Sequence, residues 1–526
     1  MLEYRKFLSS SSTVLITIVV ISLVLRVWNM QSWPLMIDEA HYANQAIDVL
    51  NGNKKIYDPV IISYQGPLAI YLMLPSILIF GKSLFFMRLP FVVFGVLSVV
   101  LLYLIVKRIY DTNVALLSAA ILAIAPSEIL NSNLAIEISY ITFSTLLILN
   151  LFLKYSKSKR ITFLFLIGFF SGFAMLGNIV FGLFLFAFLI LLPVNPVLPL
   201  RKLISSLSPY RIIIFLLAFL LGSFPLLFWN FNNGFSTLSY LVDNIQTTHY
   251  GNSILNLKQN IENGYLNLQS YLNEWHRFHF TFNIYPQWDF LQVFILSSIA
   301  FIVFPICFRS RPEVRNTLGK NIYLLLLFLV CFLLLSTITI SVFSEYEDSI
   351  LIPLISIIIS WTTFTVFRLA KTNSYIIIIL FVFSFIIIIE NFLINENANL
   401  NSIIGDPCNI AIQNITNYFL NSSGKSLVFD TNRYAEFYKF YTGSPNVHAL
   451  IFSDPKNNNI SSWNNFIDNQ NSEFIFMNSK CISDLPGGNS IYQNFSDFVS
   501  KRNKTLELMY QISPNNIEIL NVTKIV

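Results

Sequence analysis

Twelve apolar runs mark the first three quarters of the chain, at about 12–28, 67–81, 89–106, 114–130, 138–153, 161–177, 179–193, 212–229, 290–306, 321–340, 350–367 and 374–393. Each is 15 to 20 residues long. That is near the length of a membrane-spanning helix once tilt and fuzzy ends are allowed for. After about residue 394 the pattern changes to polar and Asn-rich. Short β-type runs (Ser426–Asp430, Val447–Phe452, Glu473–Met477, Leu506–Ile512, Ile517–Val522) alternate there with helix-like stretches at Asn432–Tyr441 and Ile491–Lys501. The pattern predicts a polytopic all-α membrane domain over 1–393 and a small α/β domain over 394–526.

Composition agrees. Of 526 residues, 55% are hydrophobic and only 12% are charged, about half the share of an ordinary soluble domain. This excludes a soluble cytosolic enzyme and a disordered chain. The first run follows only two early basic residues, Arg5 and Lys6, and has no small-residue cleavage site. It reads as a retained span rather than a removed signal peptide.

Lys and Arg in short loops mark the cytoplasmic side. If 67–81 crosses the membrane, Lys107, Arg108 and the cluster Lys154, Lys157, Lys159 and Arg160 fall outside. If it stays at the outer interface, every later basic cluster falls inside, giving 17 basic residues there against three acidic ones. The second arrangement gives about 11 spans, a cytoplasmic N-terminus, large outer loops at 29–88 and 230–288, and an external tail. A multi-pass protein of the cell membrane follows. Six Asn-x-Ser/Thr sequons in the tail, beginning at Asn414, agree with an outside location. Cys307 and Cys331 lie in apolar runs and read as packing residues. Cys408 and Cys481 lie in the tail, where an oxidising environment would allow a disulfide; spacing alone does not decide it.

The same topology gathers isolated carboxylates on the outer face. Loop one reads Met36-Ile-Asp-Glu-Ala-His-Tyr42, with Asp38 and Glu39 adjacent just after the first span. Neighbours on a helix point about 100° apart, so the two carboxylates would serve different partners. Asp38 also suits the N-cap of a helix over Glu39–Leu50. Tyr64-Gln65-Gly66-Pro67 and Arg88-Leu-Pro90 follow. A guanidinium at the outer mouth of a span can pair bidentately with a lipid-linked phosphate, or it can simply snorkel to headgroups. Loop two, 125–139, carries Asn131 and Glu137; the acid is either functional or an ordinary helix-start residue. Trp275-His276-Arg277-Phe-His279 offers cation, imidazole and aromatic faces for a phosphate or sugar, or forms an interfacial belt. No phosphate-binding loop or dinucleotide fingerprint occurs, and five His without HExxH spacing do not suggest a catalytic zinc.

Taken in order, these pieces resemble the GT-C class of membrane glycosyltransferases that use polyprenyl-phosphate sugars. The nearest groups are the protein O-mannosyltransferases and the aminoarabinose transferase of lipid A. The resemblance runs through Asp38-Glu39 with Tyr42 and Ala46, Gly66-Pro67-Leu68, Phe80-Gly-Lys-Ser83, Arg88-Leu-Pro90 with Gly95, Tyr103, Lys107-Arg108 and Pro126. It continues through the Asn131–Glu137 loop, Gly168, Gly172 and Leu176, then Trp229-Asn230 and Asn233-Gly234. It covers about 20–240 and is diffuse beyond. It implies Asp38 as the base that deprotonates an acceptor hydroxyl, Glu39 in support, Glu137 as a second-loop acid, and Arg88 as the Arg of the family's Arg-Leu-Pro; beyond the resemblance, His276 or Arg277 would help Arg88 hold the donor phosphate. Tyr42, Tyr64, Gln65 and Asn131 would line the substrate.

Two departures stand out. Tyr64-Gln65-Gly66-Pro67 supplies no basic or His residue where relatives carry one just before the loop-one prolines, and the stretch before the tenth span, Glu345-Tyr-Glu347-Asp348, is acidic where relatives are basic. A divalent cation bridging these carboxylates to a phosphate would reconcile them. The expected reaction is transfer of one sugar, with mannose a candidate, from a dolichyl or undecaprenyl monophosphate to a glycan, lipid or protein hydroxyl, with inversion. A flippase for a lipid-linked sugar would instead need mid-span charges and internal symmetry. A non-catalytic membrane scaffold would leave Asp38 and Glu39 dispensable.

Overall fold

The computed structural model describes residues 2–58, 66–191, 208–237, 261–262, 290–338 and 350–369, with breaks at 29, 31–36, 137–139, 178–179, 309, 312–313 and 315–316, and five strands of the tail. The chain divides into two compact units. One comprises Met1–Gln31 and Gln45–Glu396; the other comprises Ser32–Asn44 and Asn397–Val526.

The first unit is helical. Its described helices are α1 (Leu2–Val27), α3 (Leu68–Phe80), α4 (Leu84–Ile109), α5 (Thr112–Ile124), α6 (Pro126–Asn133), α7 (Ile141–Ser158), α8 (Ile161–Met175), α9 (Val180–Leu191), α10 (Pro209–Gly222), α11 (Phe224–Asn232), α12 (Phe290–Cys307), α13 (Leu318–Ile338) and α14 (Ile352–Leu369). Helix α2 (Ile37–Leu50) begins in the second unit and ends in the first. Eleven of the twelve apolar runs are thus helical, and the run 374–393 lies outside the described residues.

Two runs are each broken in two. The run 114–130 stops at Ile124 because Ala125 takes φ −59°, ψ 116° and Pro126 opens a new helix. The run 212–229, expected as one span, is instead α10 and α11, bent by 69° at Ser223. Gly222 ends the first piece and Pro225 sits in the first turn of the second, the usual places for both residues.

Helix α4 is long and apolar enough to cross a membrane alone. Its 26 residues span about 39 Å, against a hydrocarbon core of about 30 Å. Helix α1 is as long but carries Glu3, Arg5 and Lys6 in its first turns, and the other described helices are shorter; many carry apolar side chains on an outward face. Ile16, Leu78, Leu217, Leu221 and Ile299 are all more than half exposed. Water would not tolerate such a surface over many helices, and lipid does.

Helix α4 packs on α1, α3, α5, α6 and α7, and α5 packs on α14. Where α4 turns into α5, polar side chains tie the ends together. Asp111 caps α5, accepting from the backbone N–H of Asn113 (2.9 Å) and Val114 (3.1 Å), and also pairs with Arg368 of α14 at 2.7 Å. Lys320 donates to the carbonyl of Ile109 at 2.7 Å, satisfying the end of α4. The Tyr110 hydroxyl donates to Asn321 Oδ1 at 2.7 Å, and Asn321 Nδ2 donates to the carbonyl of Phe301 at 2.6 Å.

Helices α8 and α10 approach through small residues. A Cβ on Gly172 would lie 2.1 Å from the carbonyl oxygen of Phe219, and one on Gly222 would lie 2.1 Å from that of Phe169. In lipid, close backbone packing of this kind replaces the hydrophobic drive between helices. Gly66 plays the same part elsewhere, where a Cβ would sit 2.2 Å from the carbonyl oxygen of Leu176.

The second unit contains a five-stranded sheet in the order β2-β1-β3-β5-β4. Its strands are β1 (Leu427–Phe429), β2 (Val447–Ala449), β3 (Glu473–Met477), β4 (Leu506–Ile512) and β5 (Leu520–Ile525). The pairs β1/β2 and β1/β3 are parallel, and β3/β5 and β4/β5 are antiparallel. The helical stretches expected in the tail, and Cys408 and Cys481, lie outside the described residues.

Gly172→Ala should destabilise the protein by about 1–3 kcal/mol, because backbone must move to admit the methyl. Gly182→Ala, where the nearest atom is the flexible Met175 Sδ at 3.2 Å, should change stability little. Thermal unfolding of both variants in one detergent checks this.

Candidate active site

The backbone of α2 places Asp38 and Glu39 in its first turn. The helix begins at Ile37, earlier than the pattern predicts, so Asp38 is a first-turn residue rather than the cap. Acids are favoured there by the helix dipole. Glu39 and Tyr42 are both buried, and three residues apart they share a face of α2.

In the helical unit, Arg88 lies in the second turn of α4 and is fully buried. Snorkelling to headgroups does not describe it. Its Nη1 donates to the carbonyl of Met30 at 2.6 Å, just past the end of α1. Seven residues on, the same face of α4 presents Gly95. A Cβ there would meet Ser132 Cβ at 2.6 Å and Arg26 Nε at 2.8 Å. One stripe of α4 therefore receives both the last turn of α1 and the helix that carries Asn131. Asn131 is buried on α6 beside Ser132.

Glu137, Tyr64, Gln65, His276 and Arg277 lie outside the described residues, as do Glu345, Glu347 and Asp348.

The structure adds two charged residues that pattern reading passed over. Arg26 is fully buried in the last turn of α1. Its Nη1 donates to Ser22 Oγ at 2.7 Å and to the carbonyl of Ala123 at 2.8 Å. Its Nη2 reaches the carbonyl of Leu122 at 3.4 Å. These carbonyls belong to the last turn of α5, whose acceptors have no helical partner of their own. Glu128, also buried, stands in the first turn of α6. The Thr142 hydroxyl of α7 donates to its Oε1 at 3.0 Å. Burial raises the Glu128 carboxyl from its ordinary 4.5 to about 7, while the positive charge of Arg26 and the Thr142 hydrogen bond hold it down. A cation thus meets the negative end of α5 and an anion meets the positive end of α6.

Residues 64–229 match the family model described as dolichyl-phosphate-mannose-protein mannosyltransferase. The fold aligns with ArnT from Cupriavidus metallidurans in the apo state at TM-score 0.59 and 11% identity, covering 98% of each chain. The same enzyme bound to undecaprenyl phosphate aligns at TM-score 0.57 and 11% identity, covering 96% of this chain and 97% of that one. The chain has a GT-C fold. It is an integral membrane protein. The Archaeoglobus fulgidus oligosaccharyltransferase tethered to an acceptor peptide aligns at TM-score 0.53 and 12% identity, over 98% of this chain and 74% of that one. Among curated protein sequences there is no significant match.

Several residues of the GT-C resemblance gain a physical role from this fold. Gly66, Gly95, Gly168 and Gly172 each stand where a side chain would collide with a neighbouring segment.

Because the folded protein favours the neutral form of Glu128, the stability this group supplies is full below about pH 4.5 and is lost as pH rises through about 7. Glu128→Gln should flatten the fall in melting temperature across that window. Arg26→Leu should destabilise the protein more at high than at low pH, because it removes the positive charge that favours the ionised Glu128 carboxylate. Melting temperatures measured from pH 5 to about 8 test both signs.

Proposed function

We propose that the protein transfers a single sugar from a polyprenyl monophosphate, dolichyl or undecaprenyl, to an acceptor hydroxyl at the outer face of the membrane. One observation carries this reading: a fold aligned over nearly the whole length of both chains with an enzyme captured on undecaprenyl phosphate, coinciding with a mannosyltransferase family match over 64–229. The order of outer-loop residues around Asp38 supports it as well.

Asp38 acts as the general base. It takes the proton of the acceptor hydroxyl as that oxygen attacks the anomeric carbon. The bond from this carbon to the phosphate oxygen breaks, and polyprenyl phosphate leaves with the electron pair. Displacement from the opposite face inverts the anomer. Charge grows on the leaving phosphate, so cationic donors contribute most in the transition state. Arg88, with His276 and Arg277, is assigned to that phosphate, and Glu39 and Glu137 to support of the base and the acceptor. Tyr42, Tyr64, Gln65 and Asn131 line the substrate.

The topology of this reading has about 11 spans. It puts the N-terminus inside, α3 at the outer interface, and residues 394–526 outside as an α/β domain. Helix α3 suits an interfacial position. Its 13 residues span about 20 Å, and its final residues Leu78, Ile79 and Phe80 are exposed and apolar.

Purified protein supplied with a panel of radiolabelled polyprenyl monophosphate sugars should consume one of them. Asp38→Asn should lower turnover about 10²- to 10⁴-fold while leaving donor binding near wild type, as expected for loss of a general base. Equal turnover by an active wild type and the variant would remove Asp38 from the chemistry.

A further inference from the structure

Helix α11 carries a feature that sugar transfer does not use. Its residues Phe224, Leu227, Phe228 and Phe231 are 58%, 42%, 39% and 75% exposed. At 100° per residue they fall within about 100° of arc, the width of a single amphipathic stripe. Asn230 and Asn233 lie off that stripe. Asn230 is buried; its Nδ2 donates to the carbonyl of Leu226 at 2.9 Å and its Oδ1 accepts from the N–H of Thr237 at 3.0 Å. No charged residue interrupts the helix.

Four large apolar side chains on one face of a nine-residue helix need a cover, and continuity identifies it. The outward face of α10 is Ile213, Leu216, Leu217, Leu220 and Leu221, each about half exposed or more. As a spanning segment it meets acyl chains. That apolar surface runs without a polar break through Ser223, itself buried, into Phe224.

The 69° bend then turns the helix toward the membrane plane. From Pro209 to Gly222, α10 rises about 21 Å; with Arg211 at the inner boundary, its end still lies within a hydrocarbon layer of about 30 Å. Nine further residues along the old axis would add about 13 Å, but after the bend they add only about 5 Å. Helix α11 therefore stays in the outermost part of the acyl layer, the depth at which interfacial helices bury their apolar face.

Loop one is attached to this helix. The Tyr57 ring meets Phe228 edge-on, with centroids 5.0 Å apart. The next residue is tied back to α2, because Gln45 Nε2 donates to the carbonyl of Asp58 at 3.0 Å.

We propose that α11 is an interfacial helix: Phe224, Leu227, Phe228 and Phe231 insert among the acyl chains of the outer leaflet, and through Tyr57 on Phe228 it fixes the middle of loop one at the lipid surface. The partner is the lipid itself, of any headgroup, since the stripe carries no charge. This would place the segment after Asp38 and Glu39 at a constant depth, which a base acting on a lipid-borne substrate requires.

The test is depth-dependent quenching. Cys307, Cys331, Cys408 and Cys481 are replaced by Ala, and single cysteines are introduced as Phe231→Cys, Asn233→Cys and Leu217→Cys. Each is labelled with an environment-sensitive fluorophore, and the full chain is reconstituted in phosphatidylcholine vesicles. The label at 231 should be quenched several-fold more by a nitroxide high on the acyl chain than by aqueous iodide. The label at 233 should favour iodide, and that at 217 should respond to a nitroxide deeper in the chain. Iodide quenching at 231 equal to that at 233 would overturn the proposal, and so would a label at 231 shielded from both quenchers, which would mean that protein covers the stripe. If Phe231→Cys is not monodisperse in detergent, Phe224→Cys takes its place with the same two outcomes. The readout needs no turnover, so it stands or falls apart from the assignment of Asp38.

Discussion

The contact between Arg26 and the corner of α5 and α6 anchors the end of α1 within the helical unit. A guanidinium buried among helices is tolerated only when most of its donors are used. Here two carbonyls at the end of α5 and the Ser22 hydroxyl take the Nη1 and Nη2 donors, and Nε, packed beside Gly95, has no hydrogen-bond partner among the described residues. Pro126 then starts α6, and Glu128 supplies the negative charge that both the α6 terminus and Arg26 favour. Gly95 leaves the space this arrangement needs, and Arg88 closes it by holding the Met30 carbonyl. The chain exits α1 from a fixed point, eight residues before Asp38.

Much of the helical unit was legible from apolar runs because lipid demands long unbroken apolar stretches, and those stretches are helical. The charge asymmetry and the order of outer-loop motifs pointed to the same class as the fold comparison. The ranges of β3 and β4 were also readable, since their runs of alternating and β-prone residues are bounded by polar segments.

What was not legible had local causes. Breaks at Ala125 and Ser223 were hidden inside runs of uniform hydropathy, although Pro126, Gly222 and Pro225 marked them. Arg26 sat near the end of the first run, where a single charge passes for a flanking residue. Glu128 lies in loop two beside Glu137, whose position fits the family pattern and draws the eye first. The signal that links them is chemical: one cation and one anion placed at the ends of apolar runs, in a chain with few charges, should find each other. Arg88 shows the opposite case. Its type and position were read, but its full burial and its bond to Met30 depend on tertiary packing that no local pattern carries.

On the proposed function, a lipid-linked sugar is cleaved at its phosphate rather than carried across the bilayer. The direct measurement follows carrier and sugar together in sealed vesicles containing the wild-type protein, donor and a hydroxyl acceptor. Sugar transfer predicts that free polyprenyl monophosphate appears one for one with glycosylated acceptor, which carries the inverted anomer. Intact donor that changes leaflet, with no free polyprenyl phosphate formed, would contradict it.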